Sequence, residues 1–342
     1  MTHLIRTIDA HVGGQPLRLI VDGGTNPPGK TVAAKRDWLR RRADHIRRSL
    51  VLEPRGHADM TCALLTDAAS PGAHAGIIFM DGGGYPPVSA HGIMAAVTIA
   101  VERDLIFSRD AEPGVVPVVL ETPAGTVHAR ATVETRGPAR RVDTVSFANV
   151  PSFVHTASHA VTLGARRLRV DIAFGGAFYA IVDTEAVGIP LHAGRLPELR
   201  RLGTEIREAV NASVDVRHPS DPGASGVAGV IITGAPSDPE AHLRNVTVTT
   251  GGVDRSAGGA GTCAVMAVLD AMGLLSEDQP FVHEGLYGSL LRGRILRRTL
   301  VGDLPAIVTE VEGAAWITGE HTFHLADDDP FREGVGADTR TG

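Results

Sequence analysis

The chain has 342 residues, more than one hydrophobic core usually fills, so two domains are the expectation. Hydrophobic residues make up 43%, charged residues 21% and aromatic residues only 4%, with 40 glycines, which describes a turn-rich globular chain with aliphatic packing. The formal net charge is −6 and no basic run is long enough to track a phosphate backbone, which argues against a nucleic-acid partner.

From the N-terminus, "LIRTIDAHVGGQPLRLIVDG" reads as two strands around a Gly-Gly turn. Residues 31–50 read as a helix, and within it "RDWLRRRADHIRRSL" alternates its arginines with Trp38, Leu39, Ile46 and Leu50, as a solvated helix face does. "HADMTCALLT" and "HAGIIFMD" are strand-like, and "DGGGYPP" is a loop by its glycines and prolines. Ile93, Val97, Ala100 and Val101 then recur at helical spacing up to about Asp104. The second part repeats the plan. "RVDTVSFANVPSFV", "LRVDIAFGGAFYAIVD" and "NVTVTT" are strands, with helices over about 194–213 and 261–273.

Cys62 and Cys263 have neither the number for a disulfide framework nor zinc-ligand spacing. The N-terminus lacks the apolar core of a signal peptide, and no window approaches the roughly 18 apolar residues of a membrane span. A soluble cytoplasmic protein is the simplest expectation.

"YPPVSAHGIM" and "DRSAGGAGTC" are both small-residue turns that open apolar helices. Laid over each other without a gap, Ser89 falls on Gly258, Gly92 on Gly261, Val97 on Met266, Ile99 on Val268 and Leu105 on Leu274. We read an internal duplication. The first turn of a helix leaves N–H groups unpaired and carries partial positive charge, so each turn suits a carboxylate. Two such turns acting on one small anion would stabilise the enediolate formed when a proton leaves the carbon beside its carboxylate. A packing role for the glycines is the competing reading. The dinucleotide GxGxxG and the phosphate loop GxxxxGK[ST] are absent, and Ser89 lies in no G-x-S-x-G elbow.

At these residues the chain resembles the proline racemase family. The blocks "IDAHVGGQPLRLIVDG", "EPRGHADM", "YPPVSAHGIM", "DIAFGGAFYAIVD", "NVTV", "DRSAGGAGT", "HEGLYGS" and "WITGEHTFHLADDDPF" follow in family order, nearly end to end. The resemblance implies an α/β (α+β) chain of two pseudo-symmetric diaminopimelate-epimerase-like domains. Each is a curled, mostly antiparallel sheet around a central helix, with the active site in the cleft between them. The expected halves are 1–131 with about 322–342, carrying Ser89, and 132–321, carrying Asp254 and Gly258.

Racemases and epimerases of this family carry two cysteines, one on each face of the substrate α-carbon. Here those positions are Ser89 and Gly258. Cys263 lies five residues beyond the second, and it and Cys62 read as core residues. Smaller departures are Gln15 where an acid is usual, Ala177 where asparagine is common, and Ala257 and Ala260 in the second turn.

Inversion needs an acceptor on one face and a donor on the other, and glycine is neither. Elimination needs one base and a leaving group on the next carbon. Within the family, dehydratases of trans-3-hydroxy-L-proline lack the second cysteine, and this sequence looks like one of them, giving Δ1-pyrroline-2-carboxylate. The resemblance makes Ser89 the base. It makes Asp254 the partner of the ring ammonium, against a plain turn-forming role. Ala90, His91, Gly259 and Ala260 would give backbone N–H groups to the carboxylate, and Gly258 would line the substrate. His91 either only shapes its turn or also assists Ser89. No cofactor and no metal is expected, the partner is a small imino acid, neither nucleic acid nor membrane is expected, and a homodimer stays open. Two other readings stay open: a 4-hydroxyproline 2-epimerase or proline racemase-like enzyme, and a catalytically inactive imino-acid-binding relative.

Overall fold

The computed structural model describes residues 2–108, 112–136, 139–250, 252–277 and 279–335. In chain order the elements are β1 (Thr2–Val12), β2 (Gln15–Asp22), α1 (Val32–Arg42), α2 (Asp44–Val51), β3 (Thr61–Thr66), β4 (Ala75–Met80), α3 (Ala90–Glu102), β5 (Val115–Thr122), β6 (Gly125–Arg136) and β7 (Ala139–Ala148). They continue with β8 (Ser152–Leu163), β9 (Arg166–Phe174), β10 (Phe178–Asp183), α4 (Thr184–Val187), α5 (Leu196–Ser213), β11 (Val227–Gly234), β12 (Leu243–Thr249) and β13 (Gly252–Asp254). The last are α6 (Gly259–Ala271), β14 (Phe281–Glu284), β15 (Leu290–Val301), β16 (Leu304–Gly313) and β17 (Ala315–Ala326).

The chain forms two compact units, residues up to 146 with those from 314 on, and residues 147–313. The sequence reading has these boundaries at 131/132 and 321/322. β17 pairs with β1 from Thr2 opposite Ala326 to Val12 opposite Ala315, so the returning segment joins the first unit as soon as β17 begins.

In the first unit β1 and β2 form a hairpin, β2 runs parallel to β3, β3 antiparallel to β4, β4 parallel to β5, and β5 antiparallel to β6. The second unit repeats this order. β9 and β10 form a hairpin, β10 runs parallel to β11, β11 antiparallel to β12, β12 parallel to β14, and β14 antiparallel to β15. β8 lies along β9 as β17 lies along β1, and β16 pairs with both β15 and β8, which returns the second sheet on itself. Antiparallel pairs dominate both units.

Each sheet curls around one helix. In α3 every residue from Gly92 to Val101 is buried, and in α6 so are Gly259 and every residue from Gly261 to Val268. A helix apolar on all sides is stable only inside a core. α5 packs its buried stripe of Leu199, Leu202, Ile206 and Val210 on the outside of the second sheet. The expected helix over 31–50 is broken at Ala43 (φ −142°, ψ 28°). The break turns Ile46, Leu50 and Val51 into the core, and Asp44 opens the new helix with its carboxylate gripping Arg47 at 2.7 and 2.8 Å.

The duplication extends to polar detail. In the first unit Glu121, at the end of β5, accepts from the Ala69 N–H and the Ser70 hydroxyl, while His74 Nδ1 accepts from the Val119 N–H at 2.9 Å. In the second, Glu284, at the end of β14, accepts from the Ser237 N–H at 2.6 Å, the Asp238 N–H at 3.1 Å and the Ser237 hydroxyl, and His242 Nδ1 accepts from the Val282 N–H at 2.9 Å. Both clamps tie the loop before β4 or β12 to the parallel strand beside it. Burial alone would raise both carboxyls. The serine hydroxyls and backbone N–H groups, with Arg244 beside Glu284 and Lys35 toward Glu121, outweigh it and hold both below their ordinary value of 4.5.

Glu284→Ala should therefore destabilise the protein by about 3 kcal/mol, because buried donors and Arg244 lose their acceptor. Urea unfolding measures this. The stabilisation is fully present above the unfolded-state value near 4.5 and is lost as pH falls through the lowered folded value, so the gap between wild type and variant should close in acid. A gap that stays constant down to acid unfolding contradicts the clamp.

Candidate active site

In the first unit the loop ending in Pro86 and Pro87 delivers Ser89 in extended conformation (φ −139°, ψ 115°) as the N-cap of α3. Its Oγ accepts from the Gly92 N–H at 3.2 Å, which supplies one of the first-turn donors with a partner. Gly92 permits a close seat on β4: a Cβ there would lie 2.4 Å from the Phe79 ring. The half-buried Ser89 hydroxyl lies 3.3 Å from His91 Nδ1 and 3.4 Å from Nε2, and His91 Nε2 lies 3.3 Å from Oγ1 of the buried Thr61 on β3. Asp81, at the end of β4, accepts from the Gly83 and Gly84 N–H groups at 2.7 and 2.9 Å. Burial raises its carboxyl, against the opposing pull of those N–H groups, Arg47 and His91. Arg47 of α2 also donates to the Asp81 carbonyl at 2.9 Å, anchoring the loop that carries Ser89.

The matching turn in the second unit is built differently. Asp254, on β13 opposite Thr247, accepts at Oδ1 from the Ser256 N–H at 2.9 Å and the Ser256 hydroxyl at 2.7 Å. Ser256 Oγ in turn accepts from the Gly258 N–H at 3.1 Å, and Asn245 Nδ2 donates to the Ala257 carbonyl at 2.9 Å. Gly258 is the N-cap of α6 with φ +74° and ψ 114°, and it offers no side-chain cap. That left-handed φ disfavours any side chain, and a Cβ would lie 3.0 Å from Asp254 Oδ2. Gly259 and Ala260 form the first turn of α6, which starts two residues earlier than the periodicity predicts. Burial first, then Asp254 and Cys263, push the Tyr179 phenol up.

Both cysteines lie in the core, as expected. Burial pushes the Cys62 thiol up to about 12 and the Cys263 thiol up to about 11, so neither is a thiolate near neutral pH. The structure brings Ser89, Ala90 and His91 together on one turn, and Asp254, Gly258, Gly259 and Ala260 together on another. Asp254 closes its own turn through Ser256. Sequence reasoning missed Ser256 and Thr61. An Asp two residues before a Ser is a legible turn signal, whereas Thr61 reaches His91 only through the packing of β3 against α3. Among the described residues no helix is long and apolar enough to cross a membrane, and no cluster of three metal-ligating side chains occurs.

The sequence pattern of the family described as proline racemase matches residues 7–336. A proline racemase of Acetoanaerobium sticklandii is 38% identical over 96% of this chain and 97% of its own length. A trans-3-hydroxy-L-proline dehydratase of Azospirillum brasilense is 37% identical over 98% of both chains. Among solved structures, a hydroxyproline epimerase from Agrobacterium vitis with bound trans-4-hydroxy-L-proline superimposes with a TM-score of 0.85, at 30% identity, over 98% of this chain and 96% of that one. Relatives of all three activities match nearly the whole chain, and the epimerase structure shares its architecture. The chain belongs to the proline racemase family and has its diaminopimelate-epimerase-like fold.

Proposed function

We propose that the chain dehydrates trans-3-hydroxy-L-proline to Δ1-pyrroline-2-carboxylate, without a cofactor, by one-base removal of the α-proton and elimination of the 3-hydroxyl as water. The observation that carries this reading is the unequal arming of the two helix starts. Ser89 is a protic side chain with an imidazole beside it, whereas Gly258 has a backbone conformation that disfavours any side chain. One armed position serves elimination and does not serve inversion. The dehydratase named among the relatives supports the substrate class.

Ser89 takes the α-proton. The N–H groups of Ala90, His91, Gly259 and Ala260 hold the carboxylate and stabilise the enediolate as it forms. Asp254 pairs with the ring ammonium, and Gly258 leaves the substrate room. The enediolate collapses to an enamine as hydroxide leaves, and the enamine tautomerises to the product.

Ser89→Ala should abolish turnover and leave affinity for pyrrole-2-carboxylate, a planar mimic of the carbanion, nearly intact. Half or more of the activity surviving would sink the assignment. Asp254→Asn keeps an oxygen for the Ser256 N–H and removes the charge. It should weaken binding of the same ligand by about 2–5 kcal/mol by calorimetry, and unchanged affinity would put the amine elsewhere. Ser89→Cys with Gly258→Cys places two thiols at the family's catalytic positions. The left-handed φ and the nearby Asp254 carboxylate strain the second one, so chiral chromatography should find no inversion of proline or hydroxyproline. Ready inversion by the double variant would mean that the turn adapts and the strain is immaterial.

A further inference from the structure

We infer that Thr61, His91 and Ser89 form a proton relay in which His91 accepts the Ser89 hydroxyl proton and Thr61 positions His91. This rests on the reading of Ser89 as the base and supplies what that reading needs, since a serine hydroxyl removes a carbon-bound proton only when something takes its own.

Three side chains lie within hydrogen-bonding reach of one another in sequence. Ser89 Oγ lies 3.3 Å from His91 Nδ1 and 3.4 Å from Nε2, and Thr61 Oγ1 lies 3.3 Å from Nε2. When Nε2 carries its hydrogen and donates it to Thr61, Nδ1 keeps its lone pair and lies 3.3 Å from the Ser89 hydroxyl. Thr61 is well fixed for this. It is buried and opposes Leu17 in the parallel pairing of β2 and β3.

The duplicated unit is an internal control. In the β11–β12 register, with β12 laid on β4, the place of Thr61 is taken by Gly229, and the helix overlay puts Ala260 at His91 and Gly258 at Ser89. All three relay positions thus lack functional side chains in the second unit. A packing role alone gives no reason for the three to be absent together.

In the step, the substrate Cα–H bond breaks and its proton goes to Ser89 Oγ, while the Ser89 hydroxyl proton goes to His91 Nδ1. The electron pair moves into the carboxylate and then into the Cα–Cβ double bond as the C3–O bond breaks. The departing hydroxide takes the proton held by the His91–Ser89 pair and leaves as water, which returns the relay to its starting state. Ser89 and His91 are the reacting groups, and Thr61 is a positioning residue.

The test is the rate of α-proton exchange from trans-3-hydroxy-L-proline in deuterium oxide, read beside water loss and KM. Thr61→Val keeps the shape and removes the acceptor. It should lower kcat about tenfold, the worth of one neutral hydrogen bond, with KM within about twofold, and Thr61→Ser should restore most of the loss. His91→Asn should lower exchange by roughly a hundredfold or more. Binding of pyrrole-2-carboxylate by each variant shows that it is folded. Wild-type exchange in Thr61→Val or His91→Asn overturns the relay while dehydration stands. Exchange by wild type without water loss overturns the dehydration reading and leaves the relay judged on exchange alone. Neither exchange nor water loss by wild type overturns both.

Discussion

The N–H groups of a helix's first turn have no carbonyl of their own helix to bond and must find other partners. That requirement governs this protein twice. α3 meets it with a side chain, the Ser89 hydroxyl on the Gly92 N–H. α6 meets it from outside the helix, through Asp254 holding Ser256 and Ser256 holding Gly258. The donors that remain sit where partial positive charge accumulates, which suits an anion. The close seating of Gly92 on Phe79 holds the first of these turns against β4.

A duplicated scaffold supplies two like positions, and this chain has made them unlike. The first carries a hydroxyl, an imidazole and a second hydroxyl. At the matching places the second has Gly258, Ala260 and Gly229, with a left-handed backbone at the helix start. Gly258 has a conformation that resists a side chain, and a Cβ there would meet the Asp254 carboxylate. Asp254 both closes its turn and faces the side from which a side chain at 258 would project.

Much of the fold was legible because its signals are local. The β1–β2 hairpin, the apolar period of α3 and the repeat of turn and helix near 258 follow from pattern and glycine content. The kink at Ala43 was not legible, because the alternation of arginine and apolar residues continues through it and only tertiary burial of Ile46 and Leu50 shows the change of direction. The start of β17 at Ala315 was missed because its partner is β1, at the other end of the chain. At the site, Ser89, Gly258 and Asp254 were legible as departures from or matches to a family pattern. The positive φ of Gly258 was not, since a glycine permits that conformation without announcing it. Thr61 was invisible for a further reason: β3 and α3 meet only after folding.

The measurement that bears most directly on the one-base account is the fate of trans-3-hydroxy-L-proline incubated with the wild-type protein in deuterium oxide, followed by proton NMR and chiral chromatography. The account predicts loss of water to Δ1-pyrroline-2-carboxylate with no build-up of the α-inverted isomer. Inversion at a rate comparable to dehydration would contradict it, because a second proton-transfer group would then serve the face that Gly258 leaves bare.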